Sequence, residues 1–260
     1  MMRRWADFPL AAVLEQAAGV PVLLDNDATA AALGEYWSGQ VEAGAVVGVL
    51  YLGTGLGAGI LVDGTVYRGS SSNAGEIGHV CVDVDGPECW CGARGCIEAV
   101  AGPAAVVAAA RAAGLDLGPE GRPVAEDFAT LARAALRGDA SAQELLHRSA
   151  RYVAVAAQTL ANILDLDLLV LTGPAFALAG TLYLPAVQER LDRSFFARGN
   201  HAVRAVISPN SSEAAAVGAA AIVLQSELVP RMTGLRMPAG PTGEGGALRG
   251  LRRSAVVGIG

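Results

Sequence analysis

The stretch GEIGHVCVDVDGPECWCGARGCIE, residues 75–98, contains all four cysteines of the chain. Three of them follow the pattern Cys-x-Cys-Gly-x-x-Gly-Cys, in which the glycines permit tight turns and the thiolates can converge on one ion. A histidine near the start of the stretch would complete the tetrahedral Cys3His arrangement of structural zinc. The predicted metal ligands are His79, Cys89, Cys91 and Cys96. Cys81 is the alternative fourth ligand, and a set of buried or free thiols is the alternative for the whole motif.

The same stretch carries two carboxylates and an imidazole that suit a hydroxyl-rich ligand, namely Glu76, His79 and Glu98. Such groups donate or accept hydrogen bonds directionally, so they bind vicinal hydroxyls well. If one ring nitrogen of His79 binds the metal, the other can face a ligand oxygen. The metal loop would then be a rigid wall of a binding site.

A second polar pair, Asn26 and Asp27, follows the apolar run Pro21–Asp25, which predicts a buried strand, and begins an alanine-rich helix. Ligands of open α/β sheets collect at such strand–helix junctions. Asp27 could accept a proton from a substrate hydroxyl, and Asn26 could orient neighbouring hydroxyls. The alternative is that both residues only cap the helix.

Between these two regions a glycine-rich turn, residues 52–59, links two predicted strands. It is not a dinucleotide fingerprint, because no helix follows it. Its backbone N–H groups could instead hold an anion. The predicted phosphate-binding residues are Gly53, Thr54, Gly55 and Gly57. The alternative is a glycine hairpin that packs tightly in a sheet.

Hydrophobic periodicity predicts alternating strands and helices, which indicates α/β architecture. Strands are predicted at 21–25, 44–52, 58–62, 65–68, 168–172 and 203–208. Helices are predicted at 10–18, 26–37, 103–113, 125–137, 140–165, 181–197 and 212–228. The first strand–helix unit cannot form a sheet by itself. It is expected to belong to a lobe whose other strands are missing, or else to add to the larger lobe.

The 260 residues carry a formal net charge of -6, and all 19 basic residues are arginines. The lack of lysine excludes phosphate-loop, protein-kinase and Schiff-base lysine chemistry. Bound phosphate would have to be held by backbone amides, arginine or metal. The acidity argues against broad nucleic-acid binding. The sequence shows neither a membrane span nor a signal peptide, so we expect a cytoplasmic protein with no membrane partner.

Together, the strings DNDATAAALGE, LGTGLGAGILVDGTVYRG, NAGEIGHV and CWCGARGCIEA resemble the ROK family of repressors, open reading frames and sugar kinases, from about Pro21 to Val229. The resemblance implies an actin-like, ribonuclease-H-like two-lobe α/β fold with a sugar in the cleft. It implies that Asp27 matches the catalytic base and that residues 53–57 match the second phosphate loop. The segment Leu171–Pro174 would match the adenosine-binding segment. The implied sugar-hydroxyl ligands are Asn26, Asp27, Glu76, His79 and Glu98.

The chain departs from the family pattern in three ways. It starts after the Asp-x-Gly-x-Thr strand of the kinases, it lacks the winged helix of the repressors, and Pro174 stands where kinases usually have a glycine. The expectation is therefore an incomplete first lobe, with residues 1–40 as its remnant. Residues 41–230 would form the C-terminal lobe with a zinc loop at 79–96, and residues 231–260 a disordered tail.

The preferred hypothesis is the sugar-sensing domain of a carbohydrate-responsive transcriptional regulator that lacks its DNA-binding head. DNA would be bound only through that absent domain. The alternative is an ATP-dependent sugar kinase of the glucokinase type with a truncated N-terminus, using ATP and magnesium, although this chain as written is predicted to be inactive. A ligand-free remnant is the third possibility. Structural zinc, a small-molecule sugar and a homo-oligomer are expected.

Overall fold

The computed structural model describes residues 8–39, 41–42 and 44–228, and its strands join in one mixed sheet of order β3-β2-β1-β4-β5. Strand β2 is antiparallel to its neighbours, whereas β1, β4 and β5 are parallel. The strands are Val46–Leu52, Leu56–Val62, Thr65–Val66, Leu168–Thr172 and Arg204–Ile207. This strand order is that of the ribonuclease-H-like, actin-like fold expected from the sequence.

The helices cover both faces of this sheet. Their bounds, from α1 to α8, are Leu10–Ala18, Asp27–Trp37, Ile97–Ala101, Pro103–Ala112, Val124–Leu136, Ala140–Leu164, Pro174–Ser194 and Ala214–Leu228. Helices α3 to α7 lie over one face and α2 lies over the other, with α8 packed against α2. Because side chains alternate along a strand, β1 sends Leu50 and Leu52 into the first layer and Val47 and Val49 into the second.

The larger layer holds most of the buried apolar side chains and one buried polar link. The Ser149 hydroxyl donates to the carbonyl oxygen of Ala101 at 2.6 Å and shares a hydrogen bond of 2.8 Å with the Tyr183 hydroxyl. Burial raises the pKa of Tyr183 to about 12, so this phenol stays neutral. The link ties α3, α6 and α7 together, and α3 begins directly after the metal motif.

Glycine allows α2 to lie close to the sheet and to α8. A Cβ on Gly59 of β2 would lie 2.5 Å from the Ala32 Cβ and closer still to the Ala28 carbonyl oxygen. A Cβ on Gly218 would overlap the carbonyl oxygen of Ala30, where α8 crosses α2. Side chains at these positions would push α2 outward, so the glycines fix where this helix begins relative to the sheet.

Most predicted elements are confirmed to within a few residues, but the predicted strand Pro21–Asp25 is wrong. These residues form an extended segment outside the sheet, and Leu23 and Leu24 are 53% and 52% exposed. An apolar run forms a strand only where another strand offers hydrogen bonds, and among the described residues none does so here. Helix α7 also begins earlier than the predicted 181–197, because Pro174 at its first position is pre-organised for a helix start.

The predicted boundary at residue 40 stays a prediction, and α2 packs on strands β1 to β3 of the sheet. The predicted tail, residues 231–260, lies outside the described residues. Within the described ranges no helix has both the length and the apolar character to cross a membrane.

Candidate functional site

The side chains predicted to bind zinc lie together. One ligand atom from each of the four residues lies within 4.8 Å of the others, and the cluster consists of His79, Cys89, Cys91 and Cys96. Cys81 is exposed and is not part of the cluster; its backbone pairs with that of Cys96.

The spacing of the donor atoms fits a tetrahedral ion. Zinc–sulfur bonds of about 2.3 Å place two thiolates about 3.8 Å apart in a tetrahedron, and the Cys91 and Cys96 sulfurs are 3.7 Å apart. The Nδ1 atom of His79 lies 3.5 Å from the Cys89 sulfur. Three thiols and one imidazole also form the donor set that zinc prefers. These residues can therefore hold a divalent ion.

Tight turns bring the cysteines together. Gly92 and Gly95 have φ of 98° and 63°, a region that glycine enters without strain. The Cys89 N–H donates to the Ala93 carbonyl at 2.8 Å and closes the first turn. A side chain on Gly95 would overlap the carbonyl oxygen of Asp83, so this position requires glycine.

The thiols differ in acidity when no metal charge is present. Burial and the neighbouring thiols raise the pKa of Cys96 to about 12. Hydrogen bonding, first from the backbone of Ala93, lowers the pKa of Cys91. A bound divalent cation would favour the thiolate at both positions, so metal binding would release protons.

His79 directs its two ring nitrogens to different neighbours. Nδ1 faces the cysteine cluster, and Nε2 lies 4.0 Å from the carboxylate of Glu76. Metal binding at Nδ1 would fix the proton on Nε2. That N–H would then point away from the metal, toward the rim where the Glu76 side chain is 52% exposed.

Glu98 is held by two donors. Its Oε2 accepts from the Leu56 N–H at 3.0 Å, and its Oε1 accepts from the Trp90 indole Nε1–H at 2.8 Å. Gly55 has no side chain to obstruct this approach, because a Cβ there would overlap the Glu98 carboxylate. Sequence reasoning missed Trp90, and its only sequence signal is its place between two predicted metal ligands.

Two backbone N–H donors of the predicted phosphate-binding turn already form hydrogen bonds within the protein. Gly53 N–H donates to the Gly55 carbonyl at 3.0 Å, and Leu56 N–H donates to Glu98. Thr54 is exposed at the tip of the turn. Its binding of phosphate stays a prediction.

Asn26 and Asp27 lie at the start of α2. The Asn26 side-chain oxygen accepts from the Thr29 N–H at 3.1 Å, so Asn26 caps the helix, and its binding of a sugar stays a prediction. Asp27 is exposed, and burial together with the Asp27 charge raises the pKa of the nearby Tyr51. The next residue, Ala28, lies against Gly57 at the start of β2.

An ion pair holds the segment before α2. Arg68 donates to both oxygens of Asp25, at 2.8 and 2.6 Å. Partial burial opposes ionisation of Asp25, but the hydrogen bonds and charge of Arg68, with the Asn26 N–H, leave its pKa lowered. The pair joins the entry to α2 to the chain that leads from β3 toward Glu76.

At its other end, α2 contacts the segment predicted to match the adenosine site. The Thr172 hydroxyl donates to Oε1 of Glu35 at 3.0 Å, and both side chains are fully buried. Within the described part of the chain, Oε2 of Glu35 has no hydrogen-bond partner. Gly173 follows with φ of 102° and packs against the backbone of Leu52, and Pro174 begins α7.

The first residues of β2 connect these groups. Glu98 binds the Leu56 N–H, Gly78 lies against the Leu56 carbonyl oxygen, and Ala28 packs on Gly57. The segments that carry the predicted sugar ligands therefore all contact the first residues of β2; they are the start of α2, the 3-10 turn Ile77–His79 with Glu76 before it, and α3. Carboxylates and an imidazole in this arrangement can bind a ligand rich in hydroxyl groups.

Comparison with known proteins agrees with this fold. The ROK family profile matches residues 2–226, and the chain belongs to the ROK family. It is 32% identical to a glucokinase of Halalkalibacterium halodurans over 86% of this chain and 69% of that protein. It is also 32% identical to a putative xylose repressor of a Caldicellulosiruptor species over 86% of this chain, and spans 57% of that protein's length.

A solved structure of a ROK family glucokinase from Streptomyces griseus, in complex with glucose and AMPPNP, is similar to this one. The TM-score is 0.71 and the identity 32%, over 82% of this chain and 72% of that chain. The relatives thus include both sugar kinases and repressors.

Proposed function

We propose that this chain is the sugar-binding, effector-sensing domain of a carbohydrate-responsive transcriptional regulator. The observation that carries the proposal is that Glu98 and the turn carrying His79 both contact the first residues of β2, beside the cluster of His79 and three cysteines. The proposed sugar ligands are Asn26, Asp27, Glu76, His79 and Glu98. The membership of sugar kinases and a xylose repressor in the same family supports a sugar as ligand.

The proposed ligand residues differ in the hydrogen bonds that they make with the sugar, since the carboxylates accept and the imidazole donates. The exposed carboxylate of Asp27 accepts a hydrogen bond from one sugar hydroxyl, and Glu98, already oriented by two donors, accepts from another. The Nε2–H of His79 donates to a sugar oxygen when Nδ1 binds the metal. Zinc supplies folding energy to the loop and takes no part in chemistry.

A regulator uses such binding to shift a conformational equilibrium. Sugar must bind one conformation of the full protein more tightly than the other, and the difference in affinity sets the size of the shift. DNA contact would belong to a domain outside this chain. We also propose that the protein forms a homo-oligomer and acts in the cytoplasm, where thiolate ligands stay reduced.

Pro174 favours sensing over catalysis. It occupies the first position of α7, directly after the Gly173 turn predicted to match the adenosine segment. Proline has no N–H and its ring obstructs close approach of a ligand to the backbone. A nucleotide would therefore bind less well at this helix start.

A sugar kinase is the second candidate, favoured by the position of Asp27 beside the glycine turn. In that role Asp27 takes the proton of a sugar hydroxyl while the oxygen of that hydroxyl bonds to the γ-phosphorus of ATP. The bond between the γ-phosphorus and the oxygen that bridges to the β-phosphate breaks, which releases ADP. Magnesium neutralises phosphate charge when bound. Backbone N–H groups of the 53–57 turn would hold the phosphate oxygens, since the chain has no lysine.

Calorimetric titration with glucose, xylose and N-acetylmannosamine tests the proposal. We expect one of them to bind, and Asp27→Ala or Glu76→Ala to weaken binding by about ten- to a hundred-fold, the value of one charged hydrogen bond. Glu120→Gln, an exposed carboxylate between α4 and α5, is the matched control and should leave affinity unchanged. Unaltered affinity in both alanine variants would refute the site. Sugar-dependent ADP release with magnesium and ATP would favour the kinase.

A further inference from the structure

We propose that Trp90 is a positioning residue for sugar binding, which transmits the order of the metal loop to Glu98 and His79. The inference rests on the proposed sugar site and names a residue that the site assignment does not include. The Trp90 indole N–H donates to Oε1 of Glu98 at 2.8 Å. Its ring meets that of His79 edge-on, with centroids 4.8 Å apart and planes at 85°.

The exposure of Trp90 argues against a core role. Its side chain is 54% exposed, whereas a tryptophan that only stabilises a fold usually buries most of its surface. Its single polar group donates to the Glu98 carboxylate, and its ring makes an edge-to-face contact with an imidazole. Both partners are proposed sugar ligands, so the contacts of this side chain converge on the site.

Glu98 depends on two donors for a defined orientation. A glutamate has three rotatable side-chain bonds, and ordering it on ligand binding weakens affinity by about two- to ten-fold. The Leu56 N–H holds one carboxylate oxygen and Trp90 holds the other. With both in place the carboxylate plane is fixed before the sugar arrives. Each oxygen retains a lone pair that can accept a sugar hydroxyl.

The metal loop in turn positions Trp90. Its chain neighbours Cys89 and Cys91 both belong to the ligand cluster, so the backbone on either side is constrained when the ion binds. The edge-to-face contact also restrains the ring plane of His79, whose Nδ1 faces the same cluster. Contacts therefore run from the metal-ligand cluster through Trp90 to Glu98, so that binding of the ion would also restrain the Glu98 carboxylate.

The replacement Trp90→Phe separates the hydrogen bond from the ring contact, because it keeps an aromatic ring and removes the N–H. Trp37→Phe, at the exposed end of α2, is the matched control. Without this hydrogen bond the cost of ordering Glu98 falls on sugar binding, which corresponds to about two- to ten-fold in affinity. We expect Trp90→Phe to raise the Kd of whichever of the three sugars binds by about two- to ten-fold, with zinc content and unfolding midpoint unchanged. Trp37→Phe should leave that Kd unchanged.

A second readout distinguishes positioning from a purely structural role. If Trp90 acts through Glu98, Trp90→Phe should have little further effect on sugar affinity in a Glu98→Gln background. The chain has three tryptophans, so Trp5→Phe with Trp37→Phe leaves Trp90 as the sole tryptophan, which can be excited selectively over the tyrosines. Its fluorescence should then change on sugar binding and on chelation of the metal.

The outcomes separate this inference from the proposed function. If the unmodified chain binds none of the three sugars, the proposed function fails and the role of Trp90 fails with it. If the unmodified chain binds a sugar and Trp90→Phe binds it equally well, the inference alone is overturned. Additive losses of sugar affinity in the Trp90→Phe/Glu98→Gln double variant would also overturn the positioning role. A loss of zinc from Trp90→Phe large enough to explain its weaker sugar binding would overturn it as well.

Discussion

The substitution Gly59→Ala should displace the start of α2 and weaken sugar binding more than it weakens the fold. The added Cβ would lie 2.5 Å from the Ala32 Cβ and nearer still to the Ala28 carbonyl oxygen. Comfortable carbon–carbon contacts lie at about 3.5–4.0 Å. The helix must therefore move outward by roughly 1 Å at Ala28, the residue next to the proposed base Asp27.

The magnitude follows from two opposing effects. Overpacking of this kind costs about 1–3 kcal/mol. Replacing glycine by alanine within a strand returns about 0.5–1 kcal/mol, because the unfolded chain loses conformational freedom. The net loss of unfolding free energy is therefore about 0–2.5 kcal/mol. At about 2–4 °C per kcal/mol for a chain of this size, the midpoint falls by at most about 10 °C. The protein therefore stays folded at 25 °C.

Sugar binding should be weakened more than the fold, because a sugar can form hydrogen bonds with Asp27 only when its carboxylate is correctly positioned. The loss of one charged hydrogen bond raises the Kd by about ten-fold or more. Chemical denaturation and calorimetric titration of the same sample measure both quantities. Gly199→Ala is the matched control, since nothing lies within 4 Å of its added Cβ. Sugar affinity equal to that of the unmodified chain in Gly59→Ala would refute the argument that β2 glycines position Asp27.

Three further predictions concern buried and charged groups. Arg68→Gln should lower the unfolding free energy by at most about 1 kcal/mol, because its guanidinium is 39% exposed. In the folded protein the pKa of Asp25 lies below its ordinary value of 3.8, so the ion pair with Arg68 stabilises the fold at pH values above 3.8. Denaturation curves of the unmodified chain and of Arg68→Gln should therefore converge as the pH falls below about 4. A difference that persists at pH 2 would contradict this. Glu35→Ala should lower the unfolding free energy by about 2–4 kcal/mol, because it leaves a cavity and an unpaired Thr172 hydroxyl. Glu35→Gln can still accept from Thr172 and should lower it by less than half as much. Equal losses in urea unfolding would argue against the hydrogen bond. Chelation should increase amide hydrogen exchange first within residues 79–96, and a uniform increase across the chain would be inconsistent with a locally stabilising ion.

Local sequence signals predicted the parts of the fold that depend on near neighbours. The capping of α2 by Asn26 and the glycine turns of the metal loop are encoded within a few residues, so spacing alone indicated them. The run Pro21–Asp25 was misassigned because apolar composition does not reveal whether a partner strand exists.

The contacts missed by the sequence join residues that are distant along the chain. The bond between Thr172 and Glu35 spans 137 residues, and the bond from Leu56 to Glu98 spans 42. No periodicity specifies such pairs, since they arise only when α2, the sheet and α3 pack together. The Trp90 contact with Glu98 is nearer in sequence, but it depends on how the metal loop turns back toward α3.

The most direct test of the account is an experimental structure of the chain with a bound sugar, obtained by soaking or co-crystallising with glucose, xylose or N-acetylmannosamine. Sugar oxygens should lie within hydrogen-bonding distance of Asp27, Glu98 and the Nε2 atom of His79, beside a metal ion held by the His79 imidazole and three cysteines. A well-ordered sugar bound elsewhere on the chain, with none of these side chains in contact with it, would contradict the account.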